Sequence, residues 1–179
     1  LQSLASGSMR AALAWGDYDN DGDLDLVLSS SPTGEALGGV TRFHRNDGAS
    51  FASLATSLPD VGDASFAWGD YDRDGDLDVA VQGMTPASQR ILRVYRNDAG
   101  LFVDIAAGMT GMFRGSLAWA DVDGDGDLDL GVCGTTTTTE AGATTRVYRN
   151  DAGVFVNAST GLTPGGFYGQ LAFGDIDRD

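Results

Sequence analysis

Aspartate stands at every second position in three nine-residue stretches of this chain. Each complete stretch reads Asp-x-Asp-x-Asp-Gly-Asp-Leu-Asp, and a fourth stretch shows only the first five positions. Two like charges about 4 Å apart repel by roughly 4 kcal/mol at an effective dielectric constant of about 20. Carboxylates this dense are therefore favourable only if they share a bound cation. The stretches are residues 17–25, 70–78 and 121–129, with the partial one at 175–179.

The donor types and their spacing indicate which cation is bound. Carboxylates at positions 1, 3, 5 and 9 can converge on one ion, and position 7 can add its backbone carbonyl. This all-oxygen set fits Ca²⁺, whereas Mg²⁺ tolerates such flexible sites poorly and Zn²⁺ prefers His and Cys, which the loops lack. Glycine recurs at position 6, where the backbone turns most sharply, as Gly22, Gly75 and Gly126. That recurrence favours a metal loop over the alternative, a solvated acidic turn without an ion.

The flanks of the loops predict strands rather than the helices of an EF-hand. An EF-hand needs a glutamate at position 12, but this chain has Leu28, Val81 and Val132 there. Short apolar and aromatic runs of β type precede and follow each loop, as at 13–15 and 26–28. Each acidic loop is therefore predicted to connect the two strands of a β-hairpin.

The loops recur at a nearly constant spacing of 53, 51 and 54 residues. A period near 50 with four predicted strands per repeat indicates a β-propeller, an all-β fold of four-stranded antiparallel blades. A tight Asn-Asp turn joins the third strand of each repeat to the fourth. The third strands are predicted at 41–45, 92–96 and 145–149, and the fourth at 51–54, 102–105 and 155–157.

The repeats predict the division of the chain. Residues 1–7 match the pattern of a fourth strand and are expected to be the outer strand of a closing blade. Three blades follow at 8–57, 58–108 and 109–161, and residues 162–179 begin a further blade with the run 171–173. We expect all of them to belong to one propeller domain that continues beyond the half-complete fourth loop.

The run Ala-Trp-Gly-Asp-Tyr-Asp-x-Asp-Gly-Asp-Leu-Asp, at 14–25 and 67–78, resembles the FG-GAP/VCBS repeat. The later run Tyr-Arg-Asn-Asp-Ala-Gly, at 95–100 and 148–153, strengthens the resemblance. The resemblance is to the calcium-loop blades of the integrin α-subunit propeller and of many bacterial surface and secreted proteins, and it implies a seven-bladed ring. Such a ring needs roughly 360 residues at this period, so further blades or further copies of the chain are expected to complete it.

The resemblance also implies the metal ligands. In the first loop, Asp17, Asp19, Asp21 and Asp25 would be side-chain ligands and Asp23 would give its carbonyl. The same roles carry over to the other two complete loops, whereas the partial loop matches only the first half of the pattern and its ion is in doubt. The corresponding residues are Asp70, Asp72, Asp74, Asp76 and Asp78; Asp121, Asp123, Asp125, Asp127 and Asp129; and Asp175, Asp177 and Asp179. The implied cofactors are thus about three Ca²⁺ ions.

The composition of the chain limits its partners and its location. There are 26 acidic residues against 11 basic ones, for a formal net charge of −15, which argues against nucleic acid as a partner. No run approaches the ~18 apolar residues that a membrane span needs. Low-affinity calcium loops suit a calcium-rich exterior, so we expect an extracellular, cell-surface, secreted or periplasmic protein. The lone Cys133 cannot form an internal disulfide and is predicted to fill space in the interior.

Other recurring residues have a structural and a functional interpretation. His44 takes the place of Tyr95 and Tyr148, so a strand position is favoured over catalysis. The tryptophans before the loops are expected to lie between blades, with a sugar-binding platform as the alternative. Paired arginines recur in the third strands, and pairing with nearby carboxylates or carbonyls is favoured over a ring that binds an anion. These pairs are Arg42/Arg45, Arg93/Arg96 and Arg146/Arg149.

Two classes of function remain open from the sequence. The first is a non-catalytic, calcium-stiffened module that presents loops to a protein or glycan ligand, as in scaffolding or adhesion. The second is part of a secreted carbohydrate-active enzyme of the polysaccharide lyase kind, or a lectin. Turnover of pectin-type polymers would discriminate between them. In either case, three blades leave open flanks, so we expect self-association or remaining blades to cover them.

Overall fold

The computed structural model describes residues 9–31, 39–159, 162 and 168–174. These residues form three four-stranded antiparallel sheets, and in each sheet the strands follow one another in chain order. A short 3-10 helix, Glu140–Gly142, precedes the third strand of the last sheet. None of the described helical residues form a helix long and apolar enough to cross a membrane. The fold is therefore all-β, and its three sheets are consistent with propeller blades.

The strand bounds agree with the repeat predicted from the sequence. The first sheet consists of β1 (Met9–Gly16), β2 (Asp25–Ser31), β3 (Val40–Asn46) and β4 (Phe51–Leu54). The second consists of β5 (Gly62–Gly69), β6 (Asp78–Met84), β7 (Arg90–Asp98) and β8 (Leu101–Asp104). The third consists of β9 (Phe113–Ala120), β10 (Asp129–Thr135), β11 (Ala143–Asp151) and β12 (Val154–Asn157).

The register is the same in all three sheets, which confirms that the repeats are structural. Trp15 pairs with Leu26, Trp68 with Val79 and Trp119 with Leu130. The second strands explain the apolar runs that follow the loops, because every residue of β6 and β10 is buried. Strands buried on both faces read as continuous rather than alternating apolar runs.

The run 171–173, predicted as the first strand of a further blade, does not form a strand. Residues 170–173 are irregular, although Leu171 N donates to Ser116 Oγ at 2.6 Å and Tyr168 N donates to the carbonyl of Arg114 at 3.0 Å. A strand requires a neighbouring strand with which to exchange backbone hydrogen bonds, and this segment contacts the edge of the third sheet instead. The predicted outer strand at residues 1–7 lies outside the described residues.

Adjacent sheets meet along their first strands, with β1 against β5 and β5 against β9. The ring of Trp68 lies on the first sheet, where its Nε1 donates to the Ala14 carbonyl at 3.3 Å. Trp119 repeats this contact on the second sheet, donating to Ala67 at 3.1 Å. A Cβ at Gly16 would lie 2.8 Å from the Trp68 ring, so glycine is required for this close approach. Packing between sheets, rather than a sugar platform, is thus confirmed for these two tryptophans.

The core lies between the sheets and is rich in aromatic residues. Between the first and second sheets, Tyr18 contacts Phe43 edge-on with ring centroids 4.5 Å apart, and Phe102 completes the group. Tyr71, Trp119 and Phe155 form the equivalent group one sheet later. The cores therefore hold the first and second acidic loops through the tyrosines at their second positions, Tyr18 and Tyr71. The third loop has Val122 at this position, and its side chain is exposed.

Candidate metal centres

Each acidic loop connects the first and second strands of its sheet, as predicted. The residue before position 1 pairs with position 9 across the hairpin, as Gly16 does with Asp25. The hairpin therefore brings the two ends of the loop together. The position 6 glycines have φ angles of +94°, +97° and +93° for Gly22, Gly75 and Gly126. This left-handed backbone is the sharp turn that their recurrence predicted.

Position 12 confirms that these loops differ from EF-hands. Leu28, Val81 and Val132 are buried in β2, β6 and β10. Their side chains serve the core, and the backbone at this position belongs to a β-ladder. Position 12 is therefore not available as a metal ligand in these loops.

Three aspartates converge in each complete loop. The carboxylates at positions 1, 3 and 9 each place an oxygen within 4.8 Å of the other two. The position 9 residue is buried in every case, whereas position 3 is exposed. Such a triad offers one face of a cation an all-oxygen surface and leaves the other face toward solvent. The triads are Asp17, Asp19 and Asp25; Asp70, Asp72 and Asp78; and Asp121, Asp123 and Asp129.

The position 9 carboxylate also anchors the loop to the sheet. Asp78 Oδ1 accepts from the backbone N–H of Asn97, at the end of the third strand, at 2.8 Å, and Oδ2 accepts from Tyr71 N at 3.1 Å. Asp25 and Asp129 accept the two equivalent hydrogen bonds at 2.8 to 3.2 Å. Both oxygens are thereby oriented by the backbone, which fixes the buried corner of the triad.

The position 1 carboxylate accepts hydrogen bonds from backbone N–H groups within its own loop. Asp17 accepts from Asp21 N and Gly22 N at 3.0 Å each. Asp70 accepts from the equivalent donors, Asp74 N and Gly75 N, at 3.1 Å each. Asp121 differs, because its partners are Gly124 N at 2.7 Å and Gly126 N at 2.9 Å. The loop thus curls around its first aspartate through backbone donors.

Positions 5 and 7 lie outside the triads. The position 5 carboxylates accept from the backbone N–H two residues later at 2.8 to 2.9 Å, as Asp21 does from Asp23. The position 7 side chains of the second and third loops point to the preceding loop instead. Asp76 accepts from Asn20 at 2.8 Å, and Asp127 pairs with Arg73 at 2.6 Å. The partial loop with Asp175, Asp177 and Asp179 lies outside the described residues.

Burial makes the charged form of several triad members unfavourable. Desolvation raises the pKa of Asp78 to about 7, with its two backbone hydrogen bonds opposing the shift. The pKa values of Asp25, Asp19 and Asp72 are also raised, in each case chiefly by desolvation. A cation in the triad would favour the ionised carboxylates and reverse these shifts.

Neighbouring loops are joined by contacts that the sequence did not predict. Asn97 Nδ2 donates to the Tyr18 carbonyl in the preceding loop at 2.8 Å, and Asn150 does the same to Tyr71 at 2.9 Å. Both asparagines are buried. The recurrence of these asparagines is visible in the sequence, but on its own it indicates only a tight turn. These bonds, with the contacts from position 4 to position 7, tie the loops into one row.

The other recurring residues take structural roles. The arginines pair with a carboxylate or carbonyl, as favoured, except for Arg146, which donates to hydroxyl groups. Arg45, Arg96 and Arg149 pair with the aspartate two residues later at 2.7 to 2.8 Å. Among the outer arginines, Arg93 pairs with Asp104, Arg146 donates to Thr110 and Arg42 donates to the Thr41 carbonyl. His44 is buried in β3, where burial lowers its pKa, and Cys133 is buried beside Ser116.

Comparison with known proteins identifies a family repeat that spans the first two loops. Residues 17–81 match the model of the FG-GAP-like repeat, and comparison with curated proteins gives no match to the chain. The matched residues run from the first aspartate of the first loop through the second loop into β6. The third loop lies beyond the match, but it repeats the same triad. Over residues 17–81 this chain is an FG-GAP-like repeat, as its sequence motif indicated.

Proposed function

We propose that the chain is a non-catalytic β-propeller module in which each of the three complete acidic loops binds one Ca²⁺ ion. The observation that carries the proposal is the repeated triad: three carboxylate oxygens within 4.8 Å of one another, at the same place in each of three sheets. All donors are oxygens, which fits Ca²⁺ better than softer metals.

The proposed ligand set extends the triad. Positions 1, 3 and 9 supply carboxylates that are already close, and position 5 contributes its second oxygen. Position 7 contributes its backbone carbonyl, a role supported by the side chains of Asp76 and Asp127, which are held by the preceding loop. Water completes the coordination on the exposed side.

The ion would stabilise the module rather than perform chemistry. It offsets the repulsion within each triad and favours the ionised form of the buried position 9 carboxylate. That carboxylate holds the loop to the third strand, so the ion links three strands of each sheet. The single histidine and the single cysteine of the chain are both buried within sheets, so neither side chain is exposed to a substrate.

The module would act outside the cell. Loops built from exposed aspartates bind Ca²⁺ weakly, and weak sites fill only where calcium is abundant. We propose that the complete ring has about seven blades, supplied by further repeats or further copies, and that it presents loops to a protein or glycan ligand. The net charge of −15 supports exclusion of nucleic acid.

Calorimetric titration of calcium-stripped protein tests the proposal. We expect about three Ca²⁺ ions per chain, one for each complete loop, and only weak competition by Mg²⁺. Heat from fewer than two sites, or equal affinity for the two metals, would contradict the assignment. The partial loop is expected to add no site of its own.

A further inference from the structure

The three first strands, and the irregular segment at 168–174, share an unusual residue at the ends that lie away from the acidic loops. Five residues before the aromatic residue of each repeat, the backbone is left-handed, with φ of +57° at Arg10, +46° at Asp63, +57° at Arg114 and +57° at Tyr168. Glycine adopts this conformation most readily, and side chains with a Cβ rarely do. The chain nevertheless has long or charged side chains here, and they differ between repeats, whereas the acidic loops repeat one residue at each ligand position.

Three of these residues form an ion cluster that joins all three sheets. The Asp63 side chain has no exposed surface, and Arg10 Nη1 donates to both of its oxygens at 2.9 Å. Arg114 Nε donates to Asp63 Oδ2 at 2.6 Å. Among the described residues, two guanidinium groups share one carboxylate, so this group of three side chains carries a net positive charge.

A cavity of about 230 Å³ opens on this cluster. Arg10 and Arg114 line it, and their side chains remain 39% and 19% exposed. The residues that follow the left-handed positions are small, so they leave the space open: Ala11, Ala64 and Gly115. Tyr168 closes one side, and the Arg114 guanidinium lies 5.8 Å from the centre of its ring. Asp63 and Tyr168 thus hold both guanidinium groups at the wall of a small cavity.

We infer that this cavity binds a carboxylate. A guanidinium presents parallel N–H donors that match the two oxygens of a carboxylate. Arg10 makes its hydrogen bonds to described residues through Nη1 alone. Its Nε and Nη2 groups therefore remain as donors for a ligand. The net charge of the cluster suits a monoanion, whereas a phosphate dianion would exceed it. The volume accommodates an acetate-sized group, which is the size of an acidic side chain.

The bound carboxylate comes either from a small free acid or from an acidic residue at the tip of a peptide. Two probes separate these sources: acetate, and an acetylated and amidated Gly-Asp-Gly tripeptide. Gly-Asn-Gly with the same end groups is the uncharged control, and inorganic phosphate is the dianionic one. Arginine Nε–Hε signals of the ¹⁵N-labelled 179-residue chain are followed by NMR at constant ionic strength and saturating calcium.

We expect acetate and the Asp tripeptide to shift the Arg10 and Arg114 signals saturably and Gly-Asn-Gly to leave them unchanged. Tighter binding of the tripeptide assigns the site to a peptide, and equal binding assigns it to a free acid. Arg10→Gln should weaken binding about tenfold or more, the usual effect of losing a charged hydrogen bond. The matched control is Arg96→Gln, which removes the same charge from a side chain of similar exposure, 43%, that pairs with Asp98.

Arg10→Gln also removes the ion pair with Asp63 and could disturb the fold, so a second variant tests the cavity without touching that pair. Ala11→Leu fills the cavity without changing a charge, and it should abolish binding while the NMR spectrum stays dispersed. Calcium binding is measured on the same samples, so loss of metal in the loops is recorded separately. The inference is wrong if no probe gives a saturable shift, if phosphate binds more tightly than acetate, or if Arg96→Gln weakens binding as much as Arg10→Gln does.

Discussion

The aspartates of each loop divide into residues that hold the fold and residues that serve an ion. Asp25, Asp78 and Asp129 are buried and accept two backbone hydrogen bonds each. Replacing one of them would remove structure and ligand together. The position 3 aspartates are exposed, so they are the better residues for testing metal binding alone.

Asp19→Ala should remove one calcium site while leaving the metal-free fold almost unchanged. A ligand that binds only the folded state stabilises it by about 2.7 kcal/mol per site at a concentration about 100 times its Kd. The variant should therefore lose roughly a third of the calcium-dependent rise in melting temperature. Asp47→Ala removes an equally exposed aspartate that pairs with Arg45 outside the loops, and it should keep the full rise. Equal losses in the two variants would show that the calcium-dependent stabilisation does not come from the acidic loops.

The pH dependence of stability should change sign with calcium. In stripped protein the pKa of Asp78 is raised to about 7, above its unfolded value near 3.9. The folded state then binds more protons than the unfolded state between those pH values. Its contribution to stability is complete below about pH 4 and is lost as the pH rises through about 7. The melting temperature of stripped protein should therefore fall between about pH 5 and pH 8.

Saturating calcium should reverse that slope. The bound ion favours ionised carboxylates, so acidification displaces it and lowers the melting temperature. Thermal unfolding followed by circular dichroism in both conditions measures the two slopes. Parallel curves would argue that the triads do not hold the ion.

At the scale of residues, the sequence predicted much of the loop geometry because the chemistry of the loops is local. Position 5 was also predicted to converge on the ion, but its carboxylate lies outside the triads. The φ angles of the position 6 glycines and the meeting of positions 1, 3 and 9 follow from spacing within nine residues. The bonds from Asn97 and Asn150 to the preceding loop connect residues 79 apart. A pattern in a single sequence does not show which residues so far apart come into contact, so these hydrogen bonds could be found only in the structure.

Strands and sheets were also predictable, since each strand has an apolar run and each turn has its own residues. At the joints between sheets, the position of the tryptophans was predicted, but the polar contacts were not. Asp63 is the clearest case: its sequence neighbours are Gly62 and Ala64, and nothing local marks it as the partner of two arginines more than 50 residues away.

Asp63→Ala should destabilise the contact among the three sheets. Removing one partner of a buried ion pair leaves charge without its counterion, which costs about 3 kcal/mol where the remaining groups still reach water. Chemical denaturation of the calcium-loaded protein measures the loss. Asp98→Ala, which breaks the exposed pair with Arg96, should have little effect. A similar loss in both variants would mean that the buried cluster does not join the sheets.

At the scale of the whole molecule, and within the described part of the chain, the tryptophan contact that joins neighbouring sheets is missing at the outer face of the first sheet. Trp68 and Trp119 each lie on the preceding sheet, but the equivalent Trp15 is 49% exposed and contacts only Phe51 among the described aromatic rings. Leu13, on the same strand, is 56% exposed. This face has the apolar residues of a contact between sheets, but no described sheet covers it.

We therefore expect the 179-residue chain to associate through the Trp15 face, unless further blades cover it. Burying a tryptophan and a leucine against another sheet is favourable because apolar area leaves water. Trp15→Arg should shift the chain toward monomer in analytical ultracentrifugation at micromolar concentration. Leu101→Arg places the same charge at an apolar residue of comparable exposure, 59%, on the outer strand β8, and it should leave the association unchanged. A compact, monodisperse monomer of the unmodified chain would contradict this expectation and would mean that three sheets can close on themselves.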